Sequence, residues 1–163
     1  MGKIGLLPVK DNRPVQTLRE LFVRWLESGY VSALLVPAVS PAGVVAPVLW
    51  SDPEKALQIY PLLPVMGINS AGVVAEIASD KAEGSRLGVL LRPCEMRAVV
   101  ELIKLQQIAR DNLVLIGVDC AGTYKPTTLG SELKNDASCV NFQFRSFMMW
   151  RSAFSGSIRR SSC

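Results

Sequence analysis

Four cysteines and no histidine limit the side-chain chemistry open to this 163-residue chain. Without imidazole, cysteine–histidine zinc sites and serine–histidine or cysteine–histidine catalytic pairs are excluded within it. Thiols remain, as nucleophiles or as ligands of an iron-sulfur centre. Cys94 stands in LGVLLRPCEMRAVVELIKLQQ and Cys120 in NLVLIGVDCAGTY, each where an apolar run of strand character stops. Cys139 follows the polar stretch LGSELKNDAS, which can fold back over the same edge. Three thiolates supply most of the usual four-cysteine set of a cluster.

Such a site depends on elements that bring distant thiols together. From Leu87 the pattern reads as strand RLGVLLR, a helix over 94–108 and strand NLVLIGVD. In the helix Met96, Val99, Val100 and Ile103 make one face, and Arg97, Glu101 and Lys104 the other. Two mostly apolar strands around such a helix mark a right-handed crossover between parallel strands. The fold class read from this is α/β, with a mixed or mostly parallel sheet and a βαβ unit over residues 87–120. In open α/β sheets ligands bind beyond the carboxyl ends of the strands. That rule puts Cys94 and Cys120 at one sheet edge although 26 positions separate them. Cys94 also opens the helix, where unpaired backbone N–H groups and the helix dipole favour an anion and improve a thiol as nucleophile or ligand; Glu95 opposes this in part. A single strand-end cysteine is more often packing than chemistry, and two at one edge reverse that balance. Gly122, in the turn after Cys120, lets the backbone approach a bulky ligand.

Upstream, KIGLLPV reads as a short strand and RPVQTLRELFVRWLESG as an amphipathic helix. Val15, Leu18, Phe22, Trp25 and Leu26 recur at helical spacing, with Gln16, Arg19, Glu20, Arg24 and Glu27 opposite. Asn12 can cap its start, Pro14 suits its first turn, Glu20 and Arg24 can pair, and Gly29 follows its end. YVSALLVPAVSPAGVVAPVLW holds two valine-rich runs around Ser40-Pro41-Ala42-Gly43, the pattern of a hairpin. SDPEKALQIY suggests a short connecting helix, with Ser51 or Asp52 as cap and Pro53 in its first turn. Gly67, Asn69, Ser70 and Gly72 interrupt the stretch from Pro61, and VVAEIASDKAEGS can be helix.

The chain is long enough for one well-buried core and too short for two ordinary domains. We therefore expect a single α/β domain over 1–136 and a basic tail over 137–163. Arg145, Arg151, Arg159 and Arg160 account for the whole excess of 18 basic over 14 acidic side chains, since no acid follows Asp136. With the body neutral, the charge gives no argument for nucleic-acid binding. No apolar run approaches the roughly 20 residues of a membrane span, and the N-terminus lacks the length and cleavage site of a secretory signal. A cytoplasmic location is the expectation, with cysteines free, catalytic or metal-bound rather than paired. NFQFRSFMMWRSAFSGSIRRSSC has neither helical nor strand period, and reads as either a basic interaction tail or a segment foreign to the fold.

GVLLRPCEMRAVVELIKLQQ, LVLIGVDCAGTY and a cysteine some twenty residues later resemble the beta-subunit family of coenzyme F-420-reducing hydrogenase and formate dehydrogenase. In that family one strand ends in a Pro-Cys pair that opens a helix, another ends in a cysteine, and a Cys-x-x-Cys pair follows. The resemblance covers about residues 87–140 well. It implies an iron-sulfur flavoprotein subunit that passes electrons between a flavin, as FAD, and a 4Fe-4S cluster. Its partners would be other subunits of a redox complex, with a deazaflavin, formate or hydrogenase system on either side. Cys94 and Cys120 match the strand-end cysteines and Cys139 the first member of the later pair. Phe142 stands where the family has the second, and phenylalanine cannot ligate iron. The departure coincides with the change in composition, the pattern of a truncated or altered copy. Cys163 is a fourth thiol, with nothing in the sequence to place it at that edge.

Flavin contacts would come from turn backbones such as Gly117 to Gly122 and from the Gly67 to Gly72 stretch. GINSAG lacks the spacing of a dinucleotide fingerprint. Two further readings stand beside the electron-transfer one. In the first, the chain is a noncatalytic α/β scaffold that docks in a redox complex and buries its cysteines. In the second, Cys94 is a reactive thiol with Arg92 or Arg97 nearby.

Overall fold

In a computed structural model of the chain, residues 7–9, 13–39, 44–63, 65–79, 85–120 and 123 are described. The expected strand over 3–9 falls largely outside this set, and Leu7–Val9 belong to no strand. Asn12, the tail over 137–163 and the expected domain limit at 136 also lie outside it.

Helix α1 spans Pro14–Glu27, with Pro14 at its first position, where a missing N–H costs nothing. Arg13 holds the N-cap position and makes no side-chain cap, so the cap expected from Asn12 is displaced by one residue. Gly29 closes the helix at φ 68°, a left-handed conformation that suits glycine. Strands β1, Ala33–Val39, and β2, Val45–Trp50, form the expected antiparallel hairpin. Prolines are tolerated here because Pro37 lies beyond the last β1 residue paired with the next parallel strand, and Pro47 sits on an edge strand. Residues Lys55–Gln58 form one 3-10 turn where a short helix was expected, opened by Asp52, whose Oδ1 accepts the Glu54 N–H at 3.0 Å. Helix α2, Ser70–Ser79, begins three residues before the helical stretch read from the sequence and contains Gly72.

Strand β3, Leu87–Leu91, helix α3, Pro93–Lys104, and strand β4, Leu113–Gly117, make the βαβ unit. The sheet order is β2-β1-β3-β4, with β1, β3 and β4 parallel. This is the mixed, mostly parallel α/β sheet expected. Helix α3 stops earlier than the 94–108 reading because Gln106 turns to φ 59° and the chain leaves the helix.

Strand alternation decides which layer each side chain joins. Leu35, Leu87, Val89 and Leu91 pack with α2 and α3 through Ala71, Val74 and Val99. Leu34, Val36 and Leu90 pack on the other face with Phe22, Trp25 and Leu26 of α1. Helices therefore cover both faces, and β3 is buried at every position. Three side-chain expectations are corrected. Arg19, expected on the solvent face of α1, is buried, with its Nε donating to Ile59 O at 2.7 Å and its guanidinium over the Tyr60 ring. Val100, expected on the core face of α3, is exposed, and Leu102 packs inward instead. Glu20 accepts from Gln16 Nε2 at 3.3 Å in place of the expected pairing with Arg24.

Candidate functional site

Strands β3 and β4 run in register from Leu87↔Leu113 to Leu91↔Gly117, so both end at one level. The Val118 N–H donates to Leu91 O at 3.0 Å and holds the two ends together. Cys94 lies three residues beyond Leu91, and Cys120 three beyond Gly117. Topology thus brings the two thiols to the same carboxyl edge, as the strand-end reading expects. Both are half-buried and neither is in a disulfide. Gly117 closes β4 with room for a side chain, since an added Cβ would meet only Met96 Cε at 3.6 Å. Gly122, Cys139, Phe142 and Cys163 lie outside the described residues. Among the described residues no three His, Cys, Asp or Glu side chains gather as a metal-binding group.

The residues on either side of Cys94 carry a network that local pattern did not reveal. Glu95, buried at the third position of α3, accepts the Arg92 N–H at 3.0 Å through Oε2. Its Oε1 accepts the Ser70 N–H at 2.9 Å. One carboxylate therefore caps the first turns of both α3 and α2, where orphan N–H groups and helix dipoles favour negative charge. Arg92 Nη2 donates to Val65 O at 2.8 Å and also to Leu63 O. These bonds tie Leu63 and Val65 to the start of α3. Glutamate three residues after the N-cap was the available signal for half of this arrangement. The arginine's targets lie 27 and 29 positions away and left no local trace.

Beside this pair lies a small cleft of about 20 Å³, room for about one water molecule. Pro37, Val45, Ala46 and Pro47 of the hairpin form one wall and Val65 to Ile68 the other, with Ser70, Arg92 and Glu95 at its base. The walls meet closely at Gly67, where an added Cβ would come within 2.8 Å of Val45 O. Of the Gly67 to Gly72 stretch expected to approach a ligand, Gly67 lines this cleft and Gly72 sits inside α2.

Comparison with known proteins points to one class. No protein-family model matches the chain. It is 40% identical over 94 residues, half of this chain, to the F420-dependent formate dehydrogenase 1 subunit beta of Methanococcus maripaludis. It is 38% identical over 60 residues, 37% of this chain, to the F420-dependent formate dehydrogenase subunit beta of Methanocaldococcus jannaschii. The matched stretches cover 24% and 15% of those relatives, so the chain spans under a quarter of their length. These matches bear out the resemblance: over the matched stretches the chain is similar to part of the formate dehydrogenase beta subunits.

Proposed function

We propose that this chain is a redox subunit, or part of one, in which Cys94 and Cys120 are two cysteine ligands of a 4Fe-4S cluster that exchanges electrons with a flavin. The observation that carries the proposal is the level ending of β3 and β4, each followed three residues later by a half-buried thiol. Both relatives are named as beta subunits of F420-dependent formate dehydrogenases, which supports a redox role and other subunits as partners. A deazaflavin carrier and FAD, the second by family analogy, belong to the same proposal.

The donor set fits one half of such a site. Two thiols at one edge supply two soft ligands, and Cys139 is proposed as the third. Phe142 offers none, so the fourth ligand of the set is not supplied at that position. When bound, such a cluster supplies one-electron redox chemistry. The chain's own contribution is placement, since Glu95 and Arg92 hold the start of α3 on both sides of Cys94. No helix among the described residues is long and apolar enough to cross a membrane.

Anaerobic reconstitution of the full chain with iron and sulfide tests this directly. The expected result is a broad visible absorption band with bound iron, reduced to background in Cys94→Ser and Cys120→Ser. A chain that binds no iron, and whose thiols are alkylated only on unfolding, would refute the proposal and favour a scaffold with structural cysteines.

A further inference from the structure

Glu95 does more than cap its own helix. It is only 4% exposed, and each of its oxygens takes a backbone N–H from a different helix start, Arg92 of α3 and Ser70 of α2. A glutamate at this position ordinarily reaches back to its own N-cap alone. The second bond spans 25 positions of sequence and ties α3 to α2 at the residue next to Cys94. The turn that carries Cys94 is fixed in other ways too. Pro93 sets one backbone angle before it, the Met96 N–H donates to Arg92 O at 2.8 Å, and Arg92 Nη2 donates to Val65 O. Met96 also reaches over the end of β4, with its Cε 3.6 Å from where a Cβ on Gly117 would lie. The first turn of α3 therefore stands over the strand that leads to Cys120. Cys94 is a half-buried thiol between two buried, anchored side chains.

We infer that Glu95 is a positioning residue for Cys94, and that its bond to Ser70 makes the start of α2 part of the thiol site. The inference rests on the proposed role of Cys94 as a ligand and adds the means by which that thiol is held. Capping α3 alone would need only the Arg92 N–H. A ligand that has to meet a second thiol from another strand end needs its turn fixed against the neighbouring helix as well, and the Ser70 bond does this. Burial strengthens the tie, because a carboxylate removed from water holds its donors more tightly and is left unsatisfied when one is lost.

Ser70→Pro tests the link without touching α3. It deletes the N–H that Glu95 Oε1 accepts, leaves every charge in place, and falls at the first position of α2, where proline is tolerated. Asn69 keeps its own bond there, its Oδ1 accepting the Ala71 N–H at 2.9 Å. The readout is alkylation of the native full chain by iodoacetamide, followed for each cysteine by peptide mass spectrometry. The Cys94 rate is expected to rise about fivefold or more relative to Cys120, the change that one lost hydrogen bond makes in a local opening. Arg19→Met, which destabilises the other face of the sheet, is expected to leave that ratio unchanged. After reconstitution with iron and sulfide, Ser70→Pro is expected to release iron to a chelator faster by a similar factor. If Ser70→Pro fails to fold, Glu95→Asp decides, since it keeps the charge and shortens the reach to both N–H groups. An unchanged ratio, an equal rise in Arg19→Met, or unchanged release from a chain that does bind iron would each overturn the inference. A wild-type chain that binds no iron would refute the cluster reading, and the thiol ratio would still decide whether Glu95 places Cys94.

Discussion

Glu95 is the residue on which most local order converges. A buried carboxylate that accepts two backbone N–H groups cannot be replaced by its amide without turning one acceptor into a donor that faces an N–H. Glu95→Gln is therefore expected to lower stability by about 1–3 kcal/mol in urea denaturation. Glu101→Gln removes an exposed partner of Lys104 in the same helix and is expected to shift it by about 0.5 kcal/mol or less. Gly67→Ala places a Cβ against a backbone oxygen that has no side-chain freedom to yield. Its expected cost is about 1–3 kcal/mol, read in the same denaturation experiment. The cysteines were legible in the sequence because strand ends and helix starts are local signals. Arg92 was legible only as a neighbour of Cys94, because what it does depends on carbonyls from another segment.

The helices show the same division at the next scale. The apolar period of α1, its proline start and its glycine end all stand in 16 consecutive residues, Pro14 to Gly29, and the helix follows them. Gly29→Ala is expected to cost about 1–2 kcal/mol, because a Cβ in the left-handed region meets the following carbonyl. Gly29→Asn should cost less, and the two thermal midpoints together separate conformational strain from lost packing. Arg19 broke the polar face of that helix. Its guanidinium serves Ile59 O and Tyr60, while Arg92 serves Leu63 O and Val65 O, so two buried arginines hold residues 59, 60, 63 and 65 in place. Arg19→Met keeps the apolar stem and removes the donor. An expected loss of about 1.5–3 kcal/mol in urea denaturation would match a hydrogen bond from a charged group.

Across the whole molecule, burial falls from the centre of the sheet to its sides. Strand β3 is buried throughout, whereas β4 is half-buried and lacks a second neighbouring strand among the described residues. Hydrogen exchange is expected to follow this order, with amides of Leu87–Leu91 exchanging at or near the global unfolding limit and β4 amides without a β3 partner exchanging faster. Equal protection in both strands would show that β4 is covered on its outer edge.

The sequence by itself determined the α/β class, the hairpin, the crossover from 87 to 120 and the shared edge of Cys94 and Cys120. Each of these rests on period, punctuation and the handedness of parallel connections, all of which are local or nearly so. Only the tertiary structure decided that Arg19 is buried, that Glu95 caps two helices, and that Arg92 sits at the base of a cleft with a nitrogen to spare. Those outcomes depend on which distant carbonyl or N–H lies within about 3 Å of a side chain. No spacing along the chain encodes that distance until the sheet has brought the segments together.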